Sequence, residues 1–304
     1  GRTTVIWGVL GVAFAGWLAS LFVPLAPSET SDLRINWNMF TATRDLVGAA
    51  RKQRGVFQAI LGIAWFWLVG IFWLTAVPGF VEGYLHGDKT VVTICYAVFS
   101  VGVGVGSLLC NRMLRGEITA KFVPLAAVVI SVFMLDFAWF ASGLGDRYVD
   151  AVFTFQSLDG VRLIVDLAGI AIAGGVFTVP LYAMMQSWAE PARRSRVIAA
   201  NNVMNALFMT CIPLVVAVLH AVGFGTPAII VLIAAANLCV AVYVVRLVPE
   251  SLIQTGVRWV LRLIYKVEVR GEENYAKAGE RRVIIANHTS FLDAVLLTAF
   301  LPER

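Results

Sequence analysis

Charge is what this sequence has little of. Only 14% of its 304 residues are Asp, Glu, Lys or Arg, and 59% are hydrophobic. Soluble domains usually carry about 25% charged residues. The deficit runs through long stretches and lifts the mean hydropathy to +0.81, which argues against a soluble domain and for a polytopic membrane protein. Cysteine is scarce as well. Cys95, Cys110, Cys211 and Cys239 lie in or at the ends of apolar segments, with no CxxC or Cys/His spacing. A disulfide framework and a zinc site are therefore both poor readings, and plain buried or lipid-facing thiols are expected. The net charge of +5 is modest; basic cytoplasmic loops account for it better than a nucleic-acid partner does. No metal and no resident cofactor is expected. The sequence has no initiator Met and stops at Leu301-Pro-Glu-Arg304, inside what reads as a domain, so a piece of a longer protein is expected and the lack of a leader carries no weight.

What is present is length of apolar run. A hydrocarbon core about 30 Å thick needs roughly 20 apolar residues in a helix. Seven stretches qualify, at about 4–25, 57–79, 90–110, 121–141, 161–184, 197–219 and 226–247. Each is read as a helix, because a span must satisfy its backbone hydrogen bonds internally. Basic residues set the expected orientation. The 26–56 connection carries Arg34, Arg44, Arg51, Lys52 and Arg54; the next basic links carry Arg112, Arg115 and Lys121, then Arg193, Arg194 and Arg196. The alternate links are poorer, with Lys89, Arg147 and, at a far edge, Arg162. The positive-inside rule puts the basic set, and everything after the seventh span, in the cytoplasm. A short helix is expected at about 43–52 within the long first loop.

One long loop after the first span, then six spans with short links, is the rhythm of a transporter built from two six-helix halves. On that count residues 1–25 are the last helix of one half, 26–56 the connector and 57–248 the whole second half. Three stretches carry a resemblance. Ser107-Leu-Leu-Cys-Asn111-Arg112-Met-Leu-Arg115-Gly116 resembles a degenerate GxxxDRxGRR signature of the major facilitator superfamily. Arg112 and Arg115 match it; Ser107, Asn111, Leu114 and Gly116 depart from it. Pro191-Ala-Arg-Arg-Ser-Arg196 running into Asn201-Asn202-Val-Met-Asn205, and Gly62-Ile-Ala-Trp65-Phe66-Trp67-Leu68, are similar to the lysophospholipid transporter branch of that superfamily. Taken without the resemblance, the three adjacent aromatics are packed or lipid-facing bulk.

Polar residues inside the spans offer two readings each. A mid-membrane carboxylate costs about 2.5–3.5 kcal/mol on insertion scales, so it faces protein or water. Asp136 lies deep in its span with no partner in its own helix, which points to the substrate or coupling-ion path. Asp166 has Arg162 four residues before it; the pair is either a local ion pair at the outer interface or part of the same path. Asn201 and Asn205 share a helix face, as interhelical hydrogen-bonding groups or as substrate contacts. Gly102 with Gly106, and Gly169, Gly174 and Gly175, permit close helix packing or rocking. His220, at an outer helix end, is expected to be interfacial.

After Pro249 the character changes. Residues 251–266 alternate apolar residues with Arg258, Arg262 and Lys266 at i, i+4, i+8. That pattern fits a helix in the cytoplasmic interface near anionic headgroups or a docking helix for the next domain. A strand is expected at 283–286, followed by Asn287-His288-Thr-Ser290-Phe-Leu-Asp293. Ser290 and Asp293 spell a capping box, Ser-x-x-Asp. On one continuous helix His288 and Asp293 would diverge by roughly 140°, so they meet only if His288 lies in the turn before the helix. The stretch resembles the HxxxxD motif of glycerolipid acyltransferases. That resemblance implies an α/β acyltransferase domain beginning within 249–304, with His288 as general base toward a glycerol hydroxyl and Asp293 orienting it. It further implies an acyl thioester donor, from acyl carrier protein or coenzyme A. The residues that would hold the glycerol phosphate lie beyond Arg304.

The combined expectation is an all-α polytopic membrane bundle, the C-terminal half of a major facilitator fold, followed by the start of an α/β acyltransferase. It would sit in a bacterial inner membrane, moving lysophospholipid inward and reacylating it. A drug or metabolite exporter, or a bundle serving only as an anchor, are the competing expectations.

Overall fold

The computed structural model describes residues 2–23, 37–84, 86–144, 156–247, 250–270, 287 and 290–300. Residues 1–42 and 43–304 form two separate units. In the first, α1 (Arg2–Ser20) is apolar all round, the composition of a membrane span. The short α2 (Met39–Arg51) is capped by Asn38, whose Oδ1 accepts the Phe40 and Thr41 amides at 3.1 and 3.2 Å. Within the second unit Leu46, Val47 and Ala50 pack on the bundle core.

Six long helices build that core: α3 (Arg54–Pro78), α4 (Lys89–Leu114), α5 (Val123–Leu144), α6 (Leu158–Trp188), α7 (Arg194–Ala221) and α8 (Thr226–Val244). With α1 they make seven helices long and apolar enough to cross a membrane. The chain is thus a multi-pass, all-helical membrane protein, with no strand among the described residues. All seven expected spans are present, most of them longer than expected. Local chemistry sets their ends. Asp88 accepts the Thr90 and Val91 amides at 3.0 Å each, and Ser157 accepts Gly160 N–H at 2.9 Å, satisfying first-turn donors that a helix leaves open. Beyond Pro78, α3 widens into a π turn, Gly79–Tyr84. Leu108, Trp139, Leu214 and Val242 are exposed on the outer surfaces, as lipid-facing side chains must be.

The packing has a pattern. In α6, 67% of the most apolar window is buried, against 17% in α4 and in α7, so α6 is the axis of the bundle. Taking α3–α5 and α6–α8 as two triplets, the first helix of each packs on the second of the other: α3 on α7, and α6 on α4. The two first helices meet, and so do the two third helices, α5 and α8. Only the α5–α6 contact lacks an equal counterpart, since α3 barely touches α8. Small residues allow the tightest crossing. A Cβ added at Gly106 would lie 2.0 Å from the Ile172 carbonyl oxygen, and one at Gly175 2.5 Å from that of Val103. Close packing is what these glycines serve.

One buried polar network ties three helices together. Asn237 Nδ2 donates to the Ala127 carbonyl at 2.6 Å and to Ser131 Oγ at 2.9 Å. Its Oδ1 accepts Trp65 Nε1–H at 2.9 Å, and Ser131 Oγ–H donates to the Ala234 carbonyl at 3.0 Å. Asn237 and Ser131 are each 1% exposed, so removing one member strands the others. Asn237→Ala should cost on the order of 1–3 kcal/mol, read as a lower thermal midpoint in detergent with a shifted Trp65 emission. An unchanged midpoint would mean that the network adds nothing to stability.

At the far end, α9 (Glu250–Ile264) packs on α10 (Asp293–Phe300). Arg258 Nε donates to the Ala299 carbonyl and the Arg262 guanidinium stacks 5.5 Å from the Phe300 ring. Two of the three basic residues expected to face headgroups are therefore turned onto a neighbouring helix, and the docking reading of this segment describes it better. Arginine can serve both roles because its apolar stem packs while its head finds a carbonyl or a ring. Val260, Leu263 and Ile264 remain exposed on α9. The expected strand at 283–286 lies outside the described residues.

Candidate functional site

Three groups of residues in the bundle have the chemistry of a site. The first lies between α5 and α6. Arg162 grips Asp136 with a two-pronged contact, Nε to Oδ2 at 3.1 Å and Nη2 to Oδ1 at 2.5 Å. The Phe140 ring, one turn beyond Asp136, lies 4.6 Å from the same guanidinium. Fork-shaped pairing of this kind fixes both distance and angle. The local Arg162–Asp166 pair is thus not what forms; Arg162 takes its partner from the neighbouring span. The reason is reach. A bidentate grip needs the carboxylate in line with the guanidinium plane, which Asp136 offers across the helix interface.

Asp166 is left inside. It is 3% exposed, and its Oδ2 has no hydrogen-bond partner. Asp136 and Arg162 themselves stay open, with 39% and 46% of their side chains exposed. Net, two carboxyl groups face one guanidinium.

The second group is a cavity of about 440 Å³ between α3, α4 and α6. Pockets of roughly 300–1,000 Å³ are typical of small-molecule sites. Trp67, Trp73, Tyr96, Phe99, Thr178 and Tyr182 line it. Trp67 Nε1–H donates to Tyr182 Oη at 2.9 Å, and Tyr96 Oη–H donates to the Leu74 carbonyl at 2.7 Å, so the walls are braced. Two polar atoms are buried without partners, Trp73 Nε1 and Thr178 Oγ1. Successive helix residues turn by about 100°, so the three adjacent aromatics divide their work: Trp65 joins the Asn237 network, while Phe66 and Trp67 reach the cavity.

Third, Asn201 and Asn205 share a buried face of α7, 1% and 8% exposed, and the Oδ1 of each is unpartnered. The expected interhelical hydrogen bonds through these oxygens are not made. Counting helical rise from the α6–α7 link, these asparagines and Asp166 lie about 20 Å apart along the bundle. The residues named together as transport contacts thus occupy two levels: Asp136, Arg162 and Asp166 at one, Asn201 and Asn205 at the other. His220 closes α7, its Nδ1 3.0 Å from the Phe224 carbonyl oxygen. Arg115 and Gly116 turn the chain out of α4 at φ 50° and 86°, which places the Arg112 and Arg115 pair at the helix end.

At the C-terminal turn, Ser290 N–H donates to Asp293 Oδ2 at 2.7 Å and Leu292 N–H to Ser290 Oγ at 3.2 Å. That is the reciprocal capping box the spacing suggested. His288 lies outside the described residues, so its relation to Asp293 is not part of the geometry. Sequence reading missed Trp73, Thr178 and Asn237. Asn237 could have been found as a lone amide in an apolar run; Trp73 and Thr178 carry no such mark.

No family model matches this chain, and no solved structure matches it.

Proposed function

We propose that this protein moves lysophospholipid across a bacterial inner membrane, and that the chemistry begun at His288 and Asp293 reacylates it on the cytoplasmic side. The observation that carries the reading is the cavity. Its aromatic walls suit a single acyl chain, and Tyr96 and Tyr182 among them bring hydroxyl groups to it. Helix pairing supports a major facilitator half. Two triplets of three spans enter the membrane from opposite sides, and the mirrored pairing of α3–α5 with α6–α8 is what inverted repeats within such a half produce. The charged group at Asp136, Arg162 and Asp166 then belongs to coupling, and Asn201 and Asn205 to the opposite end of the path.

For the acyl transfer, the reading requires His288 to come before α10, within reach of the Asp293 carboxylate. His288 would take the proton of the glycerol hydroxyl as its oxygen attacks an acyl thioester of acyl carrier protein or coenzyme A. Asp293 would hold the imidazole and steady its charge.

The test is uptake of labelled lysophosphatidylethanolamine by cells carrying the full-length protein, followed by its conversion to the diacyl form. No uptake with reacylation intact favours an anchor; export of unrelated solutes favours an exporter. His288→Ala should abolish the conversion. Persistent reacylation would remove His288 from the mechanism.

A further inference from the structure

We infer that Asp166 is a proton-binding site whose proton decides whether Arg162 bridges α5 and α6 or folds back onto its own helix. The inference deepens the transport reading by naming the coupling ion, but the site itself stands on geometry alone.

Arg162 places both of its contacts on Asp136 and none on Asp166. Asp166 is 3% exposed with an orphaned Oδ2. One guanidinium neutralises one carboxylate, and a second anion one turn from it on the same helix would be buried unpaired. A proton on Asp166 removes that cost. Asp136 keeps the negative charge, because the guanidinium grips both its oxygens; Asp166 holds the proton. An anion buried in this position, without a counter-ion, would be costly.

Loss of that proton changes the best partner for Arg162. Asp166 then carries a charge one turn away on the same helix, in the i, i+4 relation that pairs side chains. The guanidinium swings onto Asp166, and the tie between α5 and α6 opens. The proton leaves by the exposed edge that Asp136 and Arg162 share. Asp136 on α5, and Arg162 on α6, are the charged groups acting on Asp166, with Asp159 acting on Arg162. Among the described residues, α3 and α7 place no charged group there, and the α4 side chains Cys95 and Tyr96 face the cavity. A metal cation is a poorer occupant, since no group of three or more acidic, His or Cys side chains able to hold one occurs among the described residues. Leu167, the next residue of α6, lines the cavity, so movement at Asp166 is felt where the lipid would lie.

The experiment uses full-length protein in vesicles. Infrared difference spectra across a pH series should show a protonated carboxyl that Asp166→Asn removes, and that Asp136→Asn also weakens because Arg162 is then free to pair with ionised Asp166. In the same vesicles, a trapped pH dye should report protons moving with labelled lysophosphatidylethanolamine, and Asp166→Asn should reduce that proton signal to background. Lysolipid movement without protons in the unaltered protein would overturn the inference and leave the transport reading intact. So would dependence on sodium, or a carboxyl band indifferent to Asp166→Asn. The band present without any lysolipid movement would instead uphold the proton site and overturn the transport reading.

Discussion

Gly106→Ala protein is expected to lose the α4–α6 crossing and most of its thermal resistance. The added methyl would fall 2.0 Å from the Ile172 carbonyl oxygen, a backbone atom that no rotamer change can move. Its neighbours give no relief. The would-be Cβ of Gly175, on the opposite helix, is 2.5 Å from the Val103 oxygen, and that of Gly102, on α4 itself, is 2.6 Å from Ala171 Cβ. The helices must part, and every contact along their shared face weakens together. Overpacking a core typically costs about 1–3 kcal/mol, and more where backbone must shift. Inside a membrane there is little hydrophobic drive to draw the helices back, because lipid solvates them as well as protein does. Gly104→Ala is the internal control. It lies on the same helix with open space around its Cβ position, and replacing glycine by alanine within a helix is otherwise favourable. Thermal midpoint and monodisperse yield in detergent should fall sharply for Gly106→Ala and hold or rise for Gly104→Ala. Equal behaviour of the two would show that α4 and α6 do not cross here.

The charged group should give the largest functional effect. Arg162→Ala removes the cation that grips Asp136 and is the one basic group one turn from Asp166. Lysolipid uptake should fall to the level of vesicles without protein. Asp136→Asn should be milder, since Arg162 can still turn to Asp166 and leave no carboxylate unpaired. The order is what discriminates. A local structural ion pair between Arg162 and Asp166 would make Asp136→Asn silent, whereas the observed α5–α6 pairing does not. Initial rates of labelled lysophosphatidylethanolamine uptake, normalised to folded protein, decide between them. Uptake unaltered by Asp136→Asn would remove that residue from the path.

The two readings of Asp166 show where sequence reasoning stopped. Spacing of four put Arg162 and Asp166 on one face, and spacing within a helix is legible from residue order. Asp136, 26 positions earlier than Arg162, is legible only as a costly carboxylate in need of company. Its partner depends on how α5 rotates against α6, and that rotation is set by bulk such as Phe133 seated over Gly169. The asparagines repeat the lesson from the other side. Their shared face was plain from i, i+4 spacing, but whether a partner waits opposite them depends on α3, and none meets their Oδ1 atoms. For Ser290 and Asp293 the capping box involves residues three apart, so spacing sufficed.

The sequence by itself determined that this chain has seven membrane-spanning helices, about where each lies, and that Ser290 and Asp293 form a capping box. Those features follow from hydrophobic run length and from contacts within a few residues. Tertiary structure alone decided that α6 is the axis, that Gly106 and Gly175 are pressed against backbone, and that Arg162 belongs to Asp136. It also decided that Trp73 and Thr178 line one cavity. Each of these depends on the rotation and depth of one helix against another, and apolar spans that are hydrophobic on every side leave no amphipathic stripe from which that rotation could be read.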